Sequence, residues 1–202
     1  MKIVSYVRET FLEFENHISL VLFCYGCNMK CSYCYNYDYV TDKSRIIDKP
    51  VETIIDENIT PLTDSVVFLG GEVTIYGEEL LTVSDYVKSK HRLLTKVFSN
   101  GTNPKLLLEG LHRGCFDFVS VDFKCYFPSD IITYNDSWIN YLWGMDFFLN
   151  QCVENNYVDR IEVRMTVVPE IEKDVTIIKK ICDKRRIKFV IQDDVKSMCD
   201  KM

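Results

Sequence analysis

The sequence lacks any long apolar segment, which argues against a membrane-spanning helix and against a signal peptide. No stretch approaches the ~20 apolar residues that a membrane-spanning helix requires. The N-terminal segment MKIVSYVRETFLEFENHISL mixes apolar residues with Glu and Arg, and it lacks the uninterrupted apolar core of a signal peptide. We therefore expect a cytoplasmic protein that makes no contact with membranes.

An excess of basic residues is also missing. The 30 Asp and Glu outnumber the 24 Lys and Arg, which gives a formal net charge of -6 and a pI near 5.2. Proteins that hold nucleic acid through its phosphates normally show the opposite balance. We expect a small ligand or another protein as the partner, and no nucleic acid.

Internal repeats, low-complexity tracts and Ser/Gly linkers do not occur in the 202 residues. With 47% hydrophobic and 27% charged residues, the composition is that of an ordinary globular protein. A chain of this length can bury a substantial core in one unit. The sequence predicts a single domain over residues 1–202.

What the chain does contain is a regular alternation of apolar runs and helical segments. Short β-branched and aromatic runs predict buried strands. One helix begins after the N-cap Asn103, with Pro104 at its first position, and it ends before Gly114. The predicted strands are 18–24, 66–69, 96–99, 116–122, 160–168 and 188–192, and further helices are predicted within 51–60, 78–91, 138–154 and 170–186.

Strands that alternate with helices at this spacing form right-handed β-α-β units and a mostly parallel sheet. Six such units are too few to close an eight-stranded barrel. The sequence therefore predicts an α/β fold, a partial (β/α)6 barrel of the TIM type. Ligands bind at the carboxyl ends of the strands in such folds, so polar residues at those ends are the candidate site.

Four of the nine cysteines lie in CYGCNMKCSYC, residues 24–34. Zinc, copper and iron-sulfur clusters select thiolate ligands, and clustered thiols in a reducing compartment bind metals more often than they form disulfides. A structural zinc site usually draws on two separated C-x2-C pairs, unlike this continuous loop. Either all four thiols close a metal site, or three hold a cluster and leave one position open. The other five cysteines are Cys115, Cys125, Cys152, Cys182 and Cys199. They show no metal-ligand spacing, so we expect no second cluster.

The spacing Cys27-x3-Cys31-x2-Cys34 resembles the cluster loop of radical S-adenosylmethionine (SAM) enzymes. In that family three thiolates hold a 4Fe-4S cluster, and the remaining iron binds the amino and carboxylate groups of SAM. An aromatic residue usually precedes the last cysteine, and Tyr33 occupies this place. The resemblance implies Cys27, Cys31 and Cys34 as ligands. Cys24 is then expected to be a buried residue at the end of the first strand, because a fourth protein ligand would block the open iron.

Later strand ends extend the resemblance. Gly70, Gly71 and Glu72 are similar to the Gly-Gly-Glu motif of the family, whose backbone and carboxylate hold the SAM amino group. Glycine lets a backbone approach a ligand closely, and a carboxylate can pair with an ammonium group. Asp122 and Lys124 put two charges at a buried strand end, which indicates either ligand binding or a local ion pair.

The segments FLGGEVT, NGTNP, VSVDFK and VRMTVVP together resemble one branch of the superfamily. This branch contains the activating enzymes of anaerobic ribonucleotide reductase and, near them, the pyruvate formate-lyase activases. In these activases the matching positions line the cofactor pocket or fix the SAM carboxylate and ribose. The positions implied here are Ser99, Asn100, Asp122, Lys124 and Arg164, and Gln192 at the sixth strand end is a further candidate.

Three residues depart from the family pattern. Val73 replaces the usual proline after Gly-Gly-Glu, and Tyr35 replaces the common histidine after the last cysteine. Phe98 stands where the pyruvate formate-lyase type has an aspartate that helps to bind a monovalent cation, so the resemblance does not carry that site over. For Arg164, a salt bridge to Glu162 is the alternative to a ligand role.

An aromatic-rich region extends from Tyr126 to Phe148. It predicts either a helix packed on the outside of the sheet or a docking face for a macromolecular substrate, because aromatic residues are enriched at interface hot spots. Its main members are Trp138, Tyr141, Trp143, Phe147 and Phe148.

The resemblance implies reductive cleavage of SAM to methionine and a 5'-deoxyadenosyl radical, which then abstracts a hydrogen atom. No side-chain acid or base is expected to take part. The implied substrate is a backbone glycine of an anaerobic ribonucleotide reductase-type partner, with a one-electron donor such as flavodoxin or ferredoxin. A small-molecule radical SAM enzyme, such as a 7-carboxy-7-deazaguanine synthase, is the first alternative. A non-enzymatic four-cysteine zinc or redox-sensing module is the second.

Overall fold

The computed structural model describes residues 1–193, in which the apolar runs form the strands of two sheets. The strands are β1 (Ile3–Thr10), β2 (Ser19–Cys24), β3 (Met29–Cys31), β4 (Ser65–Gly70), β5 (Leu94–Ser99), β6 (Phe118–Asp122), β7 (Ile132–Tyr134), β8 (Ile161–Val167) and β9 (Lys188–Asp193). The α-helices are α1 (Tyr37–Thr41), α2 (Val51–Asn58), α3 (Glu78–Tyr86), α4 (Pro104–His112), α5 (Trp138–Glu154) and α6 (Asp174–Arg185).

The main sheet has seven strands in the order β1-β2-β4-β5-β6-β8-β9. The strands from β2 to β9 run parallel, and β1 is antiparallel to β2. Because β1 and β9 are opposite edges of this sheet, the barrel stays open. The predicted α/β fold, a partial (β/α)6 barrel with a mostly parallel sheet, is confirmed.

Two features of the sheets were not predicted. β1 is an edge strand whose side chains are exposed along much of its length, so its sequence shows no continuous apolar run. A separate two-stranded ribbon joins β3 to β7, with Cys31 opposite Ile132. Strands of three residues carry too little pattern to be recognised, and this pair depends on contacts between distant parts of the chain.

The predicted helices form close to their expected positions. In α4, the Asn103 side chain accepts a hydrogen bond from Leu106 N at 3.3 Å, and Pro104 is the first residue. Gly114 follows with a positive φ of 73°, as expected for a glycine after the last turn. No helix among residues 1–193 is long and apolar enough to cross a membrane.

The alternation of side chains along each strand separates a helix-covered face from an inner face. On the inner face the Lys96 ammonium lies 3.3 Å from a Glu162 carboxylate oxygen, to which Ser120 Oγ also donates. Burial raises the pKa of Glu162, but Ser120 and Lys96 outweigh it and hold that pKa below its ordinary value. The interior of the open barrel therefore contains the Glu162 carboxylate, whose charge is balanced by the Lys96 ammonium group.

Candidate active site

A cavity of about 290 Å³ lies at the carboxyl ends of the parallel strands. Parallel strands in register bring their ends to one edge: Cys24 lies opposite Gly70, and Asp122 lies opposite Arg164. The structure gathers every predicted site residue here, while their roles toward a ligand stay predictions. They are Cys27, Cys31, Tyr33, Cys34, Gly70, Gly71, Glu72, Ser99, Asn100, Asp122, Lys124, Arg164 and Gln192.

Three of the four clustered thiols lie on the cavity wall, in the segment after β2, and the fourth lies at the end of β2. Cys24 is the last residue of β2 and is completely buried, whereas Cys27, Cys31 and Cys34 line the cavity. Cys34 N donates to the Cys31 carbonyl at 3.1 Å, so the chain turns tightly between these two thiols. The predicted position of Cys24 is confirmed; its exclusion from metal binding stays a prediction.

Burial favours the protonated form of these thiols. It raises the pKa of Cys27 to about 11 and also raises that of Cys31, where Lys124 opposes the shift. Because metals bind thiolates, metal uptake releases protons. Within residues 1–193 no three His, Cys, Asp or Glu side chains converge on a single metal ion. The ligands of a 4Fe-4S cluster bind different irons, so their sulfurs need not converge in this way.

Gly70 and Gly71 let the end of β4 pack directly on the cysteine loop. A Cβ on Gly71 would lie 1.7 Å from the Gly26 carbonyl oxygen, and one on Gly70 would lie 2.6 Å from Cys24 N. Gly71 N donates to Cys24 O at 3.0 Å, and Glu72 N donates to Gly26 O at 2.8 Å. The sequence predicts that these glycines approach a ligand; the close approach found in the structure is to the protein's own backbone.

The Glu72 carboxylate is buried and hydrogen-bonded by the protein itself. Its Oε1 accepts from Thr74 N at 3.0 Å and from Ser99 Oγ at 2.7 Å, and its Oε2 accepts from Asn100 N at 2.6 Å. Burial raises the pKa of Glu72, although these donors favour the ionised form. Glu72 thus ties the end of β4 to the end of β5. Its contact with the SAM amino group stays a prediction beside this structural role.

Asp122 and Lys124 form an ion pair on the cavity wall. Lys124 Nζ donates to Asp122 Oδ2 at 2.6 Å, and Lys124 N donates to Tyr141 Oη at 3.1 Å. Burial alone lowers the pKa of Lys124, but Asp122 reverses this effect and holds that pKa well above its ordinary value. The local ion pair is therefore present, and a ligand role for the two charges, which belong to residues of the cavity wall, stays a prediction.

Three buried polar atoms on the cavity wall have no oxygen or nitrogen hydrogen-bond partner among the described residues. They are Tyr33 Oη, Asp122 Oδ1 and Arg164 Nε. A buried polar group without a partner costs ~1–3 kcal/mol, so native proteins contain few of them. All three belong to residues that line one cavity, and two donors and one acceptor there fit a polar ligand that carries both kinds of group.

Arg164 combines a protein contact with a place on the cavity wall. Its guanidinium carbon lies 4.9 Å from the centroid of the Phe98 ring, and its Nη1 lies 3.8 Å from Glu162 Oε1. The predicted salt bridge to Glu162 is thus present at long range, while Nε stays unpartnered. At the position of the family's cation-binding aspartate, Phe98 offers an aromatic face to a cation of the protein itself.

Comparison with known proteins decides the family. A profile described as "Radical SAM superfamily" matches residues 21–181. This chain belongs to the radical SAM superfamily. The resemblance inferred from the cysteine spacing is confirmed.

Two relatives come from Methanocaldococcus jannaschii, and each bears the name "putative glycyl-radical enzyme activating enzyme". One is 29% identical over 173 residues, which cover 84% of this chain and 70% of that protein. The other is 30% identical over 115 residues, which cover 55% of this chain and 43% of that protein. The crystal structure of archaeal TYW1 superimposes with a TM-score of 0.51 at 12% identity, covering 86% of this chain and 64% of that one. At this identity the TYW1 likeness shows the fold alone.

Radical SAM proteins use a 4Fe-4S cluster and SAM, and the cavity fits both. Three thiols on one loop are the soft ligands of an iron-sulfur cluster. The unpartnered Tyr33, Asp122 and Arg164 atoms suit SAM, which carries an ammonium group, a carboxylate and a ribose. The predicted cofactors are therefore those of the family.

Several cavity residues were missed by sequence reasoning. Phe23 and Leu69 lie on predicted strands, so the two-residue period could have placed them on the inner face. Glu13 comes from the loop after β1, and no sequence signal identified it because β1 itself was not recognised. The other missed residues are Met29, Tyr35, Asn36, Phe98 and Thr166, of which Tyr35 and Phe98 were noted only as departures from the family pattern.

The aromatic region divides into a packed part and an exposed part. Tyr141 and Phe148 of α5 are buried, whereas Trp143 is 74% and Phe147 46% exposed. Packing of α5 is thus shown, and a docking role for its exposed residues stays a prediction. Four of the scattered cysteines lie in the described part of the chain, and all are buried: Cys115, Cys125, Cys152 and Cys182. Cys199 lies outside the described residues.

Proposed function

We propose that this radical SAM protein is a glycyl radical enzyme activase that acts on a backbone glycine of an anaerobic ribonucleotide reductase-type partner. The observation that carries the proposal is the relative aligned over 84% of this chain, which bears an activating-enzyme name.

The shape of the sheet supports a macromolecular substrate. The barrel is open between its edge strands, and the cavity reaches the surface beside Tyr35, which is 64% exposed. A polypeptide loop that carries a glycine needs such an open approach. A one-electron donor such as flavodoxin or ferredoxin completes the expected set of partners.

Each group of cavity residues has a distinct proposed role. Cys27, Cys31 and Cys34 would be the three protein ligands of a 4Fe-4S cluster, with no fourth ligand from the protein. The charged pair of Asp122 and Lys124, with the residues bearing the other unpartnered atoms, orients the polar groups of SAM. Fixed donors and acceptors of this kind reduce the freedom of a bound reactant.

A reduced 4Fe-4S cluster held by these thiols would supply the one-electron chemistry that cleaves SAM and leads to hydrogen abstraction from the substrate glycine. The protein must keep this chemistry away from solvent. Phe23, Leu69 and Phe98 contribute an apolar part of the cavity wall, which excludes water and limits side reactions.

Anaerobic reconstitution tests the proposal in two stages. The protein should take up about four iron per chain and, with reductant, convert SAM to 5'-deoxyadenosine. Addition of a glycyl radical enzyme encoded beside this gene should then give the electron paramagnetic resonance (EPR) signal of a glycyl radical. Uptake of zinc instead of iron would contradict an enzymatic role. Turnover with a deazapurine precursor but without a glycyl radical would contradict the activase and favour the small-molecule alternative.

A further inference from the structure

Asn28 lies between Cys27 and Cys31, and its side chain leaves the cysteine loop to reach the loop between β5 and α4. Asn28 Nδ2 donates to Thr102 Oγ1 at 2.8 Å. Thr102 Oγ1 donates to Asn100 Oδ1 at 2.7 Å, and Asn100 Nδ2 donates to Asn28 Oδ1 at 2.9 Å. The three side chains form a closed ring in which each donates to the next, an arrangement in which hydrogen bonds strengthen one another.

The ring continues into the cavity wall. Asn100 is nearly buried and lines the cavity, and its backbone N donates to Glu72 Oε2 at 2.6 Å. Glu72 N in turn donates to Gly26 O at 2.8 Å. The cysteine loop is thus held against the ends of β4 and β5 at two points, by the backbone at Gly26 and by the side chain of Asn28.

The loop has no regular secondary structure of its own, so contacts with other parts of the chain fix its conformation. Between Cys24 and Met29 it has no helix or strand, and Gly26 adopts a positive φ of 89°. Regular hydrogen bonding resumes only at β3. Backbone hydrogen bonds to other parts of the chain hold Tyr25 and Gly26, and Asn28 adds a side-chain contact directly after Cys27.

We propose that Asn28 is a positioning residue, which holds the cysteine loop and the Asn100 wall of the cavity together as one unit. The inference rests on the proposed role of Cys27 and Cys31 as cluster ligands. Through the ring, a ligand that contacts Asn100 also influences the loop that carries the cluster. Loss of the ring frees the loop and uncouples the cluster from the SAM side of the cavity.

Single and double substitutions test the ring. Asn28→Ala and Thr102→Val each break it, Thr102→Ser keeps the hydroxyl, and the double variant combines Asn28→Ala with Thr102→Val. Matched controls are Asn150→Ala, which removes an amide that donates to Asp146 and accepts from Arg185, and Thr82→Val on the exposed side of α3. Three quantities are measured: hydrogen exchange of the loop amides in the metal-free protein, iron release to a chelator, and the EPR change that SAM causes in the reduced cluster.

We expect Asn28→Ala and Thr102→Val to accelerate loop exchange and iron release about three- to tenfold, the range expected for a lost hydrogen bond. The double variant should show little further effect, because both changes break the same ring. The EPR change on SAM binding should shrink in all three. Thr102→Ser and the two controls should behave like the wild type.

Three results would overturn the proposal. Wild-type behaviour of Asn28→Ala and Thr102→Val would show that the ring does not hold the loop, and fully additive effects would show that the residues act separately. Faster amide exchange with unchanged iron release and EPR response would show that the ring has only a structural role and does not position the cluster. Failure of the proposed function is seen separately in the wild-type protein, which then either takes up no cluster or forms no glycyl radical on a partner.

Discussion

Tyr33 and Tyr141 are buried tyrosines near Lys124 that differ in hydrogen bonding. The Tyr141 hydroxyl accepts a hydrogen bond from Lys124 N at 3.1 Å. The Tyr33 hydroxyl has no oxygen or nitrogen partner in the described part of the chain and interacts only with the Cys31 thiol, and its ring centroid lies 5.7 Å from Lys124 Nζ. A backbone partner indicates a structural hydroxyl at Tyr141, whereas the weak thiol partner of Tyr33 leaves its hydroxyl able to bind a ligand.

This difference gives a prediction for two conservative variants. Tyr33→Phe should leave the stability of the metal-free protein unchanged or raise it, and it should weaken SAM binding to the reconstituted protein about three- to tenfold. Tyr141→Phe should lower the free energy of unfolding by ~0.5–1.5 kcal/mol and leave SAM binding unchanged. Urea denaturation and calorimetry measure the two effects. Equal destabilisation by both variants would contradict a ligand role for Tyr33.

The thiols of the loop allow a second test at single residues. Cys31→Ala should abolish the cluster, whereas Cys24→Ala should retain about four iron per chain. The physical reason is that Cys24 is completely buried at the end of β2 and does not line the cavity. Iron and sulfide analysis after anaerobic reconstitution measures the outcome, with the buried Cys182→Ala as control. If Cys24→Ala loses as much iron as Cys31→Ala, the three-ligand assignment is wrong.

At the scale of elements, the junction between the cysteine loop and β4 depends on a glycine. Gly71→Ala should lower the free energy of unfolding by about 3 kcal/mol, because the added Cβ meets the Gly26 backbone rather than a flexible side chain. Gly114→Ala is the control, since its Cβ meets open space and only the positive φ of 73° is unfavourable. Its cost should be about 1 kcal/mol. Urea denaturation of the metal-free proteins compares them, and equal costs would contradict the steric explanation.

The buried carboxylate that joins β5, β6 and β8 predicts a pH effect. Because the pKa of Glu162 in the folded protein lies below its ordinary value of 4.5, its ionised form stabilises the fold above that pH. This contribution is lost as the pH falls from 4.5 through the folded pKa. Glu162→Gln should therefore destabilise the protein at pH 7 and flatten the acid dependence of unfolding free energy. The exposed Glu170→Gln should change neither, and an unaltered acid limb in Glu162→Gln would contradict the assignment.

Strands and helices could be predicted from the sequence where burial alone determines the spacing of apolar residues. The parallel strands and α5 were recognised because buried faces produce apolar runs or helical spacing. β1 is half exposed, and β3 and β7 are too short, so these elements depend on tertiary pairing. For the site, the positions of the strand ends in the sequence were enough to predict many cavity residues. They did not predict that Ser99 and Asn100 donate hydrogen bonds to Glu72. Such contacts join loops far apart in sequence, and local patterns do not encode them.

For the whole molecule, the single-domain prediction can be tested by unfolding. Both tryptophans lie on α5, so fluorescence reports that helix while far-ultraviolet circular dichroism reports the entire fold. One domain should give coincident transitions by the two probes in urea. Separate midpoints would show that α5 and the rest of the chain unfold as different units.

The TYW1 likeness shows why the whole fold leaves the substrate undecided. Two chains with 12% identity share a recognisable fold at a TM-score of 0.51. A fold of this kind carries different activities through different sites. The substrate of this chain must therefore be identified through the cavity and its partners rather than through the barrel.

The ribbon of β3 and β7 sets an order of events during protein synthesis. Cys31 pairs with Ile132, and Met29 pairs with Tyr134, about a hundred residues later in the chain. Nascent chains leave the ribosome N-terminus first, so the three thiols emerge long before the segment that closes over their loop. We expect stable cluster insertion only after about two-thirds of the chain has been made, because β7 must first pair with β3.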